Sequence, residues 1–132
     1  MFTSPEPVES SMNDRAYTEK LWGCEELIVN DPAVGYCGKL LWLLPDHCGS
    51  LHYHNVKDET FMCVEGVVGV EYFPVTSPHL RKLTVLRGVA RDALRLRPGV
   101  AHRFVALEGP AILVEFSTPH SDEDVVRIEA SK

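Results

Sequence analysis

From residue 25 onward the chain is a series of short apolar or alternating runs separated by turn residues. Nine of them read as extended: "EELIVN" (25–30), "GKLLWLLP" (38–45), "SLHYHNV" (50–56), "ETFMCVEG" (59–66), "VVGVEYFPV" (67–75), "RKLTVL" (81–86), "DALRLR" (92–97), "HRFVALEG" (102–109) and "AILVEFS" (111–117). Their aliphatic, β-branched and aromatic content suits a pleated surface. The breaks between them hold Asp31-Pro32, Pro45-Asp46, Gly66, Ser77-Pro78, Pro98-Gly99 and Gly109-Pro110. Many short strands with such punctuation predict an all-β sandwich or barrel. Residues 1–19, rich in Ser, Pro and acid, predict a flexible N-terminal arm, and residues 20–132 a single domain. The tail after Pro119, "HSDEDVVRIEASK", shows no clear strand pattern.

Period-two alternation gives these strands a chemistry. In "SLHYH" it puts His52 and His54 on one face and Leu51 and Tyr53 on the other. In "DALRLR" it turns Leu94 and Leu96 inward and Arg95 and Arg97 toward water. Arg81, Lys82, Arg87 and Arg91 read, with those two, as solvated strand faces.

Composition narrows the function classes. At 132 residues the chain suits one domain, and a net charge of −6 argues against a nucleic-acid backbone as partner. No apolar run approaches the roughly 18 residues of a membrane helix, so no membrane partner is expected. The N-terminus lacks the basic-then-apolar order of a signal peptide. Cys24, Cys37, Cys48 and Cys63 show no CxxC spacing and are expected to be reduced thiols in a cytoplasmic protein.

The chemistry concentrates in "SLHYHNVKDETFMCVEG" (50–66). Two histidines on one strand face stand roughly 6.5 to 7 Å apart along the strand, so their rings can converge on one ion. Glu59 follows a plausible turn, and Gly66 lets the returning strand turn tightly. Much later, "RPGVAHRF" offers a Pro98-Gly99 turn and His102. Three imidazoles and a carboxylate form a mixed N/O set suited to Fe, Mn, Ni, Co, Cu or Zn.

The order His52, His54, Glu59, Gly66, then Gly99 and His102, resembles the two motifs of the cupin superfamily. The resemblance spans about residues 21 to 118 and implies a double-stranded β-helix, or jelly-roll barrel, of about eight strands. It implies one divalent transition metal ion per chain (Mn, Zn, Fe, Ni or Co) on those three histidines and the glutamate. The motifs depart from the usual pattern at Asp46 and Arg91, where glycines are common, and at Ala106, where an asparagine is.

A weaker resemblance is to the cupin part of type II phosphomannose isomerases and related small sugar-acting cupins. It rests on Trp22, Gly23, Glu25 or Glu26, Tyr36, Lys39, Ser50 and Leu51, and on Glu115, Ser117, Thr118, Asp124 and Arg127 in the tail. It implies isomerase- or epimerase-type proton transfer on a sugar or sugar phosphate, with the metal as Lewis acid on substrate oxygens. Glu115 is then a candidate base, with a salt bridge to Arg127 or Lys39 as its plainer reading. Lys39 is a candidate electrophile or phosphate anchor, and Tyr36 and Arg127 are candidate substrate-binding residues. His47 and His79 read as solvated, and His120 ranks below the motif histidines. The same ligands suit a non-haem iron dioxygenase of a small thiol or acid, or a sugar-binding regulatory module without turnover. An edge strand and a loose arm make a homodimer the expected state.

Overall fold

The computed structural model describes residues 16–132, and within them the chain is strand and turn with two short 3-10 turns. Eleven strands run in order: β1 Ala16–Lys20, β2 Gly23–Asp31, β3 Tyr36–Leu43, β4 Leu51–Tyr53, β5 Glu59–Glu65, β6 Val67–Pro74, β7 Lys82–Arg87, β8 Ala93–Leu96, β9 Val100–Ala106, β10 Ala111–Ser117 and β11 Val126–Glu129. They form a six-stranded sheet, β1-β2-β3-β10-β5-β8, and a five-stranded sheet, β11-β4-β9-β6-β7, with antiparallel pairing throughout. This is the cupin jelly roll.

Each of the nine runs read as extended contains a strand, and two strands lie beyond them. Residues 16–19 form most of β1 rather than part of an arm, because they pair residue by residue with β2. The remainder of the arm lies outside the described residues. β11 forms in the tail by pairing with β4.

The inner faces of the sheets are apolar at one end of the barrel and charged at the other. Along β3 the inward residues run Leu43, Leu41, Lys39, Cys37; along β5, Cys63, Phe61, Glu59; along β10, Ala111, Leu113, Glu115. The apolar ends join Val68, Val70, Leu86, Leu96, Phe104 and Ala106 in one core. Burial of that cluster drives closure. It also fixes the register that delivers Lys39, Glu59 and Glu115 to the opposite end, since a one-residue slip would turn every side chain over.

Two glycines close this frame. Gly66 between β5 and β6 has φ +79°, and a Cβ there would meet the Pro110 carbonyl oxygen at 2.7 Å. Gly99, before β9, has φ +82°. The two departures at glycine positions obey the same backbone demand: Asp46 (φ 66°) and Arg91 (φ 54°) are the non-glycine residues at positive φ among those described. A left-handed turn is needed at both positions, and this chain makes it without glycine.

Candidate metal centre

Three histidines converge from the five-stranded sheet. His52 on β4 lies directly opposite His102 on β9, and His54 follows β4 by one residue. Ring centroids are 5.1 Å apart for His52 and His54, and 4.7 Å for His52 and His102. One ring nitrogen from each lies within 4.8 Å of those of the other two, close enough to share an ion.

Backbone oxygens set the tautomers. Nδ1 of His102 faces the Val100 carbonyl at 3.0 Å, Nδ1 of His54 the Asp124 carbonyl at 2.5 Å, and Nδ1 of His52 the Ser50 carbonyl at 3.2 Å. A carbonyl only accepts, so in His102 and His54 the proton sits on Nδ1 and Nε2 faces the triad, while at His52 the Ser50 hydroxyl also lies 2.9 Å from Nδ1. That is the arrangement by which metal-ligating histidines are oriented. Nε2 of His102 is buried and has no hydrogen-bond partner among the described residues, although Glu59 Oε2 lies 3.3 Å away. An orphaned buried nitrogen beside two others of the same kind fits a divalent transition ion.

Glu59 opens β5 on the facing sheet and reaches across to the triad. Its Oε1 is 3.5 Å from His54 Nε2, and its Oε2 is the oxygen near His102. Burial pushes its carboxyl up, but the adjacent His102 and His54 rings and the Lys57 ammonium outweigh this and hold it well below the usual range. Burial, with the neighbouring His102 and His54, pushes His52 down to about 3. Burial also lowers His54, but Glu59 outweighs it and the net direction is up.

The site lies in a cavity of about 220 Å³ whose lining includes the triad, Glu59, Lys39, Lys57, Glu115, His120, Arg127 and Trp22. Glu115 is buried, with Oε2 accepting from Lys57 Nζ at 2.7 Å and from the Ser117 hydroxyl at 3.0 Å. Its ion pair is thus with Lys57, not with Arg127 or Lys39. Lys39, directly across from Glu115 in register, gives its ammonium to Glu25 at 2.5 Å. Arg127 stands opposite His52 on β11. Tyr36 is not brought to the cavity: the alternation that turns Cys37 and Lys39 inward turns Tyr36 outward, where it is half exposed. His79 is exposed, His47 is half-buried, and His120 reaches the cavity wall.

Lys57 is the residue that sequence reasoning missed. It leaves the β4–β5 connection for the interior, is 2% exposed, and touches Glu115, Glu59 at 3.3 Å and His120 Nδ1 at 3.2 Å. Burial pulls its ammonium down, but the Glu115 and Glu59 carboxylates outweigh this and raise it above the ordinary lysine value. His120 in turn donates from Nε2 to Asp122 at 2.9 Å.

No family model matches the chain, and no curated protein matches it by sequence. Solved structures do. The capsular polysaccharide assembling protein CapF from Staphylococcus aureus matches with a TM-score of 0.77 at 16% identity, over 88% of this chain and 34% of that one. Oxalate decarboxylase from Bacillus subtilis matches with a TM-score of 0.79 at 16% identity, over 96% of this chain and 33% of that one. KdgF from Halomonas sp. matches with a TM-score of 0.68 at 17% identity, over 86% of this chain and 95% of that one. The chain therefore spans about a third of CapF and of the decarboxylase, and nearly the whole of KdgF. All three are cupin-fold proteins, and at these identities the likeness is one of fold.

Proposed function

We propose that this cupin-fold chain with a three-histidine site is a divalent-metal enzyme of the isomerase or epimerase type, acting on a sugar or sugar phosphate. The observation that carries the reading is Glu115. Its Oε2 is anchored by Lys57 and Ser117, while its Oε1 takes no hydrogen bond from the described residues. A buried carboxylate with one oxygen fixed and one free, in the cavity that holds the histidine triad, is equipped to take a proton from a bound substrate carbon and return it to the next.

His52, His54 and His102 would hold the ion, with Glu59 as the fourth donor. When bound, the ion supplies Lewis-acid polarisation of a substrate carbonyl. The remaining work falls to the chain. Glu115 receives the proton at Oε1, and Lys57 keeps that carboxylate in place. The Lys39–Glu25 pair offers a donor and acceptors to substrate hydroxyls on the facing wall. Arg127, exposed at the rim, suits an anionic substituent such as a phosphate. Trp22 gives the wall an apolar face on which a sugar ring can lie.

We propose a cytoplasmic homodimer as the working form. Four free cysteines support the compartment. Half-exposed Trp42 and Phe116, on the outer face of the six-stranded sheet, support the dimer.

The test begins with elemental analysis of protein purified without affinity nickel, followed by turnover screening of aldoses, ketoses and their phosphates. Glu115→Gln should keep the metal and lose turnover. Stoichiometric iron with oxygen uptake on a small thiol or acid, and no carbohydrate turnover, would replace this reading with a dioxygenase. Ligand-induced stabilisation without turnover would replace it with a sugar-binding module.

A further inference from the structure

Lys57 lies in a connection where a lysine is ordinarily solvated, beside Asn55 and the 74%-exposed Val56, yet it is buried. The turn is held so that it goes inward: the Asp124 carboxylate accepts from the backbone N–H groups of Asn55, Val56 and Lys57. Burying an ammonium costs several kcal/mol unless it is paired, so a chain that does so places a charge where a charge has an effect.

The contacts show where that effect falls. The ammonium has three N–H donors and three neighbours: Glu115 Oε2 at 2.7 Å, His120 Nδ1 at 3.2 Å and Glu59 Oε1 at 3.3 Å. Glu59 Oε1 has a second claimant, since it lies 3.5 Å from His54 Nε2 on the side of the triad. Among the described residues, the group whose donor atoms fall within ion-sharing distance contains the three histidines and not Glu59. The carboxylate is thus drawn between a fixed cation and the ion-binding position.

We propose that Lys57 competes with the bound metal for the Glu59 carboxylate. The triad then carries the resting affinity of the site, and Glu59 is a fourth ligand that the ammonium restrains. This rests on the metal reading above and adds to it a positioning role for Lys57. Because its contact with Glu115 is the shortest of the three, the ammonium keeps that partner when Glu59 is drawn to the ion. Loading the site then changes one contact and leaves Glu115 anchored.

Competition predicts a sign opposite to that of simple structural damage. Zn(II) affinity, measured by chelator competition on the full chain, should rise about tenfold in Lys57→Met, since a neighbouring positive charge is removed and Glu59 is released. Lys57→Arg, which keeps the charge, should stay near wild type. Glu59→Gln should weaken binding more in the Lys57→Met background than in wild type. Lys57→Gln should move in the same direction as Lys57→Met and serves if the methionine variant does not fold, as judged by thermal melting. Unchanged or weaker Zn(II) binding in the folded Lys57 variants, or an equal Glu59→Gln effect in both backgrounds, overturns the proposal and leaves the metal reading standing. If wild type binds Zn(II) no better than a His52→Ala, His102→Ala double variant, both readings fall together.

Discussion

His52 and His102 face each other directly across the β4–β9 pair, with ring centroids 4.7 Å apart. The pairing register thus delivers two of the three donors, and β4's own alternation delivers the third. His102 is 1% exposed, with Phe61 and Phe104 beside it, and among the described residues its Nε2 has no hydrogen-bond partner. A buried, unpaired nitrogen costs about 1–3 kcal/mol. Because the loss of the Glu59 contact and the removal of that nitrogen act in opposite directions, we expect His102→Leu to change metal-free stability by no more than about 1 kcal/mol, and to abolish the rise in melting temperature on adding Zn(II). Urea melts of both proteins, with and without Zn(II), check this. A variant that is much less stable without metal, or still stabilised by it, would contradict the account.

Asp124 holds the triad from the tail. Its carbonyl fixes the His54 tautomer, and its carboxylate gathers three consecutive N–H groups, Asn55 to Lys57. Asp124→Ala leaves those groups without their acceptor and loosens the strand end that carries His54. We expect a stability loss of about 1–2 kcal/mol and Zn(II) binding about tenfold weaker, as for other residues that orient metal ligands. Asp124→Asn, which keeps one oxygen acceptor, should fall between. Full affinity in the alanine variant would show that the tail does not orient His54.

How far the sequence could be read follows from where each signal lies. The nine extended runs were legible because the period of two and the Gly and Pro breaks are local. The triad was legible for the same reason, from a two-residue spacing and a glycine turn. β1 was not: "AYTEK" is exposed along its whole length, and it becomes a strand by pairing with β2. β11 is four residues long and owes its form to β4. Lys57 carried no local sign, since Glu115 and His120 approach it from the far end of the chain. Tyr36 lies away from the cavity, and the parity of β3, counted from Lys39, already sends it outward.

Lys39 and Glu25 make a pair whose pH dependence has a definite sign. Burial raises the Glu25 carboxyl, but its hydrogen bond to Lys39 and that ammonium's charge outweigh this and hold it below the ordinary value of 4.5. A depressed folded value means stability that is present above the unfolded value and is lost as pH falls through the folded one. Wild type should accordingly lose stability below about pH 4.5, and Glu25→Gln should flatten that part of the acid limb. At neutral pH the same variant leaves the Lys39 ammonium, 6% exposed, without its counter-ion. With Glu25 itself 23% exposed, we expect a cost of about 1–3 kcal/mol. Urea denaturation across pH 3–7 measures both effects, and identical acid limbs would refute the assignment.

Arg91 reverses the usual order of alanine and glycine. It sits at φ 54°, ψ 40°, after the 3-10 turn at Gly88–Ala90, a left-handed conformation that costs an L-residue roughly 1–2 kcal/mol. Its guanidinium offsets that cost by donating to the Val64 carbonyl at 2.8 Å and the Gly88 carbonyl at 3.1 Å. Arg91→Ala removes both bonds and keeps the strained backbone, so it should lose about 1–2 kcal/mol. Arg91→Gly removes the same bonds but relieves the strain, and should be more stable than the alanine variant by about 1 kcal/mol. At an ordinary exposed position glycine would be the less stable of the two, because it surrenders more chain entropy on folding. Equilibrium urea melts of the two variants decide the matter. An alanine variant at least as stable as the glycine one would mean that the turn costs Arg91 nothing, and that its two carbonyl bonds serve only to tie the β7–β8 connection to β5.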